Sequence, residues 1–396
     1  MQPEEQLIKQ RLEKLKALEE LGQDPYGHSY KKTHYSQGIL EEFKKLKKEE
    51  KTKKKVSIAG RITSLRHMGK AAFGHILDSE GKIQFYIRED ENPEVYKVFK
   101  KLDLGDIIGL EGTVFRTKMG EISIWSKNIQ LLTKCLRPLP EKWHGLTDVE
   151  LRYRQRYLDL IVNPDVKEVF KKRSQIISGI REFLTKDGYT EVETPILQPI
   201  YGGTNARPFE SKLNALNMKV YMRISNELYL KRLLVGGYEK IFEFSQDFRN
   251  EGMDKTHNPE FLQVETMWCY ADYKDNMNLT EEMIEYVVKK VHKTTEIEYQ
   301  GKKINFKRPW KRMTLFESIK HYSKIDVEKC NDEELKDILK KRKIDYNPDN
   351  FSRGSAIENL FGHFVEPNLI QPTLIYDYPA ETSPLAKKSK KDPRFA

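Results

Sequence analysis

Residues 241–267 read IFEFSQDFRNEGMDKTHNPEFLQVETM, two strand-like runs around a polar loop that carries an arginine, three acids and a His-Asn-Pro. Side chains alternate across a strand. Phe242, Phe244 and Phe248 therefore share one face, and Glu243, Asp247, Arg249 and, if the extended geometry persists, Glu251 share the other. On the return run Phe261, Gln263, Glu265 and Met267 fall together, opposite Leu262, Val264 and Trp268. The pattern predicts an antiparallel hairpin with an apolar row for the core. Its other row turns a cation, carboxylates and an aromatic ring toward one concave surface. A hairpin whose polar face is simply solvated is the plain alternative.

Upstream, residues 166–186 set Val169, Phe170, Ile176, Ile177, Ile180, Phe183 and Leu184 on one side of a helix that Gly188 ends. A strand over residues 190–200, TEVETPILQPI, is expected next. Between it and the hairpin, Gly202 and Gly203 permit close approach of backbone to a ligand, with a plain loop as the competing reading. From residue 301 onward the chain looks helical and shows no catalytic constellation; His321 and His363 lack a spaced partner.

Toward the start, residues 4–21 form a charged helix with Leu7, Leu12, Leu15, Leu18 and Leu21 at roughly helical spacing. Lys9, Arg11, Lys14 and Lys16 are candidates to follow an RNA backbone, against a solvated face with a packed leucine stripe. Residues 38–55, ending in KTKKK, read as a helix and a linker. Short β-rich runs then follow: VSIAGRITSLR, AAFGHILDS, KIQFYIRE, DIIGLEGTVFRT and EISIWSKNIQLLT, with a helix-like link before the last pair. That order is expected of an OB-fold barrel, a fold that stacks single-stranded bases on aromatics, although a structural spacer is the alternative. The fold class is α+β: a helical extension over residues 1–55, a barrel over 56–135, a Pro-rich linker over 136–150 and a larger domain over 151–396, with a helical insertion at about 275–370.

The composition bounds this reading. The apolar fraction of 38% supports real cores, while 33% charged residues imply a heavily solvated surface. A net charge of +10 favours a polyanionic partner. Cys135, Cys269 and Cys330 lie without metal-type spacing and read as reduced thiols. No apolar run approaches membrane-spanning length, and a soluble, cytoplasmic protein is expected.

FRNEG followed by HNPEF and an acid on the next strand resembles motif 2 of the class II aminoacyl-tRNA synthetases, and KDGYTEVETPIL resembles their motif 1. GGTNARPF with NELYLKRL, RYRQRYLDL and YPAETSPLAKK narrows the resemblance to the lysyl-tRNA synthetases, over essentially the whole chain. The resemblance implies an antiparallel catalytic sheet flanked by helices, a homodimer interface at the motif 1 helix and strand with Pro195 at the family's proline position, and ATP, lysine and lysine tRNA as partners. Arg249 is then expected to hold the ATP α-phosphate and the amino-acid carboxylate. That choice suits a bidentate guanidinium, whose fixed charge stabilises a pentavalent phosphorus. Glu251, His257, Asn258 and Phe261 take the other ATP-site positions. Glu227 receives the lysine α-ammonium beside Gly202 or Gly203, and Glu265 is an acid of the side-chain pocket, where a desolvated ammonium needs compensating charge. In the barrel, Phe73 and Gln84 match anticodon contacts, with Arg66 and Glu121 as further positions; Phe73 as a core residue is the alternative.

Two departures accompany the match. Met267 stands where the family usually has a tyrosine that helps bind the ε-ammonium, so one hydrogen bond is expected to be missing. The family also continues past the position of Ala396 into its acidic Mg²⁺ ligands, the main ε-ammonium acid and motif 3 with a second ATP-binding arginine. The expectation is an incomplete copy of a full enzyme, with the metal ligands outside these residues. The rival readings are a non-catalytic tRNA-binding or regulatory protein derived from a synthetase, and an enzyme that attaches lysine-like groups to a protein.

Overall fold

The computed structural model describes residues 3–140, 146–347, 349 and 351–396; part of the expected Pro-rich linker, residues 141–145, lies outside the described residues. The chain divides into two compact units between Lys167 and Glu168.

The first unit opens with α1 (Pro3–Glu20) and α2 (Ser36–Glu42), followed by β1 (Lys51–Met68), β2 (Ala71–Leu77), β3 (Lys82–Arg88), α3 (Pro93–Phe99), β4 (Ile107–Arg116) and β5 (Ile122–Thr133). These strands close into a barrel in the order β1-β2-β3-β5-β4, the arrangement expected from the sequence. Period-two chemistry makes the wall: on β3, Ile83, Phe85 and Ile87 are buried while Gln84, Tyr86 and Arg88 face outward. Ile58, Ile62, Ile76, Ile108, Leu110, Ile124 and Leu131 complete the core. Gly74 is required by close approach, since a Cβ there would lie 2.4 Å from the Phe85 ring. α3 starts on Asn92, whose side chain accepts from Val95 N, and adds Tyr96 and Phe99 to the core. Short helices α4 (Val149–Arg154) and α5 (Arg156–Val162) follow.

The N-terminal segments favour the packed leucine stripe, through Leu18, over an RNA-following face. Leu18 of α1 and Ile39 of α2 are fully buried in the barrel core. Two of the four basic positions on α1 are committed to it: Arg11 donates to Cys135 O at 2.7 Å, and Lys14 pairs with Asp103 at 2.6 Å. The run KTKKK, expected as linker, is the start of β1, with Lys51 opposite Phe115 and Lys55 opposite Thr113. A charge run signals a solvated face, and an exposed strand satisfies that as well as a linker does.

The second unit is built on α6 (Pro164–Lys186), β6 (Thr190–Glu191), β7 (Leu197–Gln198), β8 (Glu210–Leu213), β9 (Met218–Met222), α7 (Glu227–Val235), β10 (Lys240–Phe248), β11 (Glu260–Trp268) and α8 (Tyr273–His292). β10 and β11 form the expected hairpin, with Glu243 opposite Glu265 and Asp247 opposite Phe261. Its apolar face, Phe242, Phe244, Val264 and Trp268, packs with Ile180, Phe183 and Leu184 of α6 and Leu279 and Met283 of α8. The strand expected over residues 190–200 survives only as β6 and β7. Pro195 has no N–H to give a ladder. Side chains take over at Thr194, which donates to both Glu243 oxygens and whose carbonyl accepts from Arg223 at 3.1 Å.

Beyond α8 lie β12 (Glu296–Tyr299), β13 (Lys302–Asn305), β14 (Lys311–Thr314), α9 (Leu315–Ser323), α10 (Asp332–Arg342), α11 (Arg353–Phe364) and β15 (Thr373–Tyr376). The helical expectation thus meets a mixed segment, in which β12 and β13 form a hairpin and β15 pairs parallel to β14. Capping boxes at Thr314/Glu317 and Asn331/Glu334 start α9 and α10, whose Leu315, Ile319, Leu335 and Leu339 bury against Ile357 and Leu360 of α11. Among the described residues, no helix is long and apolar enough to cross a membrane.

Candidate functional site

The polar face of the β10–β11 hairpin is not a solvated face. Glu243 and Asp247 are 2% and 0% exposed, and Ser245 between them is fully buried. Arg223, just past β9, spans the row: its NH1 donates to Glu243 Oε1 at 2.7 Å, and its Nε donates to Gln246 O at 2.9 Å while lying 3.1 Å from Asp247 Oδ1. Glu243 also accepts from Thr194 and from Asn226 Nδ2 at 2.9 Å, so it is saturated and acts as a structural hub. Asp247 is the opposite case. Neither of its oxygens makes a hydrogen bond with the described residues, and the same holds for Ser245 Oγ and Asn226 Oδ1. Burial pushes the Asp247 carboxyl up, against the pull of Arg223.

Glu265 shares this face. Its carboxyl is pushed up to about 7, by burial first and then by the neighbouring charges of Glu227 and Asp247, with Lys231 opposing. Glu227 opens α7, where its carboxylate is ion-paired with Lys231 one turn on. Ser225 Oγ accepts from the Glu227 N–H at 3.1 Å. Gly203 closes in on the same turn: at its φ of +95° a Cβ would lie 2.8 Å from Ser225 Oγ and 3.1 Å from Glu227 Cβ. A Cβ on Gly202 would meet Leu228 at 2.7 Å. Met267 sits two residues from Glu265 on β11, opposite Ile241.

At the loop end of the hairpin the Arg249 guanidinium lies 5.0 Å from the centre of the Phe261 ring, and its Nε donates to Ile224 O at 3.3 Å. Glu251 is held to another segment, accepting from Arg207 N at 3.2 Å, while Asn250 N donates to Arg207 O. Asp254 organises the loop. Its carboxylate accepts from the backbone of Thr256 and from His257, which hold it well below the usual carboxylate range. His257 turns its Nδ1 toward Asp254 at 2.8 Å, and Asn258 donates to Glu260 O; both side chains are exposed.

The barrel's outer face carries two adjacent rows. Arg66, Phe73, Tyr86 and Trp125 stand opposite one another across β1, β2, β3 and β5; Ser64, His75, Gln84 and Ser123 form the next row. Phe73 is therefore on the outside, with its ring 4.7 Å from Tyr86, which in turn lies 5.1 Å from Trp125. Glu121 accepts from Gln84 Nε2 at 2.8 Å and meets His75 Nε2 at 2.8 Å.

Comparison with known proteins bears on both faces. Residues 56–132 match the OB-fold nucleic acid binding domain, and residues 148–395 match the class II tRNA synthetases (D, K and N). The chain is 51% identical over 390 residues to a lysine–tRNA ligase of Carboxydothermus hydrogenoformans, covering 98% of this chain and 79% of that protein. It is 48% identical over 397 residues to that of Moorella thermoacetica, covering 100% of this chain and 80% of the relative. The chain belongs to the class II lysine–tRNA ligase family. The Pelotomaculum thermopropionicum member, also a lysine–tRNA ligase, is 50% identical over 394 residues, 98% of this chain and 77% of its own.

Within this family frame, the structure brings Arg249 to Phe261, Gly203 to Glu227, and Glu265 into the field of Glu227. It places His257 and Asn258 on an exposed loop, and Pro195 on an exposed stretch between β6 and β7, where its carbonyl accepts from Gln198. Sequence reasoning missed Arg223, Asn226 and Lys231. A cation three residues ahead of Asn226, which precedes α7, was the available signal for Arg223, but its partners sit on a strand twenty residues away or more.

Proposed function

We infer that the chain is a lysine–tRNA ligase, joining lysine to ATP as lysyl-adenylate and passing the lysyl group to the 3′-terminal ribose of lysine tRNA. The observation that carries the lysine reading is Glu265: a largely buried carboxyl, crowded by other acids and pushed up to about 7, on the same hairpin face as Phe261. Such a site is stabilised by a cation, and a substrate ammonium is one. Arg249 stands where it can grip the lysine carboxylate and the α-phosphate together, and Glu227 takes the α-ammonium at the start of α7. In-line attack of the carboxylate on the α-phosphorus then needs positioning and fixed positive charge, with no nucleophilic side chain. The Phe261 ring, already beneath the Arg249 guanidinium, supplies the adenine platform, with Glu251, His257 and Asn258 along the loop.

Mg²⁺ is expected with ATP, where it would supply charge neutralisation at the phosphates. Among the described residues no group of three or more His, Cys, Asp or Glu side chains is placed to hold such an ion, and the steps above rest on this chain's own residues. The homodimer reading is supported by apolar side chains left exposed on the motif 1 segments: Val169 and Phe170 of α6, and Ile196 and Ile200 beside Pro195. The cytoplasm, where Cys135, Cys269 and Cys330 stay as the free thiols observed, is the proposed location.

Lysine-dependent ATP–pyrophosphate exchange, together with charging of lysine tRNA, tests the assignment. Exchange above the no-lysine background is the expected result. Intact tRNA binding with no exchange would sink the enzyme reading for this chain and leave the RNA-binding one.

A further inference from the structure

We propose that His75 is a positioning residue that fixes the sense of the Gln84 amide, so that the barrel accepts the edge of a uracil and rejects that of a cytosine. The proposal rests on the tRNA-binding reading of the barrel and goes beyond it by naming what makes Gln84 selective.

The geometry is a continuous chain along the polar row. Ser64 Oγ lies 2.8 Å from His75 Nδ1, and His75 Nε2 lies 2.8 Å from Glu121 Oε1. Gln84 Nε2 donates to the other Glu121 oxygen at 2.8 Å, and Ser123 Oγ donates to Gln84 Oε1 at 2.8 Å. A carboxylate only accepts hydrogen bonds, so Glu121 demands an N–H from each neighbour. The imidazole meets that demand through Nε2–H when the Ser64 hydroxyl donates to Nδ1. Burial lowers the proton affinity of the ring, which favours this neutral form near pH 7 against the opposing pull of Glu121; the cations facing the ring are Lys82 and Arg66.

The consequence falls on Gln84. A free glutamine amide can turn over and exchange its donor for its acceptor. Uracil offers a donor at N3 beside the acceptor O4, whereas cytosine offers an acceptor at N3 beside a donor at N4. A freely turning amide pairs with either. An amide whose nitrogen is tied to Glu121 and whose oxygen is tied to Ser123 cannot turn, and it presents one order of donor and acceptor only. Glu121 is itself half-exposed at the edge of β5, and His75 is what holds its second oxygen. The aromatic row alongside, Phe73 and Tyr86, offers the stacking surface against which a base would present that edge.

The test uses the full chain and RNA hairpins with a uridine-rich loop, in which each loop uridine is changed singly to cytidine. The unaltered chain is expected to prefer uridine at one loop position. His75→Leu removes the N–H to Glu121 and should reduce that preference by about tenfold, mainly by admitting cytidine. His75→Gln, which can place an amide N–H near the position of Nε2, should restore it. Undiminished discrimination in His75→Leu overturns the proposal, as does failure of His75→Gln to rescue. Equal weakening of uridine and cytidine hairpins, with a parallel fall in ATP–pyrophosphate exchange, marks a folding effect and also overturns it. If the unaltered chain binds none of the hairpins, the tRNA reading itself fails, a result distinct from normal binding with unchanged selectivity.

Discussion

The row Glu243, Ser245, Asp247 on the hairpin and the row His75, Gln84, Ser123 on the barrel occupy the same kind of position, alternate residues along or across strands, and they treat their polar groups differently. On the barrel each of these side chains has a hydrogen-bond partner, and the row is assembled before any ligand arrives. On the hairpin one acid is saturated, another has no hydrogen bond, and Glu265 opposite them sits in an acid-rich field. Under the proposed reading, that prior assembly serves selection among similar base edges, which needs rigidity. Under the proposed function, the acid-rich field around Glu265 serves to draw in a cation, while Glu243 and Asp247 are already countered by Arg223.

The contrast can be broken at its strongest point by Arg223→Met, which strips the cation from two buried acids. Loss of about 3–5 kcal/mol of stability is expected, read as an earlier thermal unfolding transition. Arg249→Ala should leave the fold in place and lower ATP–pyrophosphate exchange by on the order of 10²–10³-fold, since a preorganised transition-state donor is removed. Exchange near the unaltered rate would remove Arg249 from the chemistry. Phe73→Ala probes the other face: tRNA binding should weaken by roughly 1–3 kcal/mol, with adenylation unaffected. Equal loss of both activities would contradict an outward stacking role.

The smallest effect concerns protons. With Glu265 at about 7, the ionised form that binds an ammonium gives way to the neutral form below that value. Lysine affinity should therefore fall about tenfold as pH drops from about 8 to about 6, measured as the lysine KM in exchange. Stability moves the other way. A carboxyl raised from 4.5 to about 7 keeps its proton longer in the folded chain than in the unfolded one, so stability declines as pH rises across that interval. Glu265→Gln should flatten both dependences; a pH-independent KM in the unaltered chain would assign the binding role elsewhere.

Strand alternation read the two faces of the hairpin and the barrel wall correctly because those patterns are local and repeat every second residue. It could not say which polar face would be covered. Arg223 and Thr194 close over the hairpin row, and both are distant in sequence from the strand they satisfy. The same limit explains why the strand expected over residues 190–200 is reduced to β6 and β7, since Thr194 between them gives its hydrogen bonds to side chains. KTKKK misled for a different reason: composition reports solvation, and solvation is compatible with an edge-like strand. The motif candidates were named from residue type and order, and the structure adds where they stand, with Arg249 beside the Phe261 ring and Gly203 against Glu227. Asp247 stood in the polar row from the start, yet its lack of a hydrogen bond is a three-dimensional fact.

Leu18 and Ile39 give the barrel an extent that its strands alone do not define. A fragment beginning at residue 56, where the OB-fold match starts, would open the interior at two fully buried positions and remove the part of β1 that carries Lys51 to Lys55. Uncovering two such side chains costs about 3–6 kcal/mol, a large share of what holds a small domain together. The excisable anticodon module is therefore one that keeps α1. In hydrogen exchange, the slowest amides of that helix should open together with the barrel rather than fray as a tail.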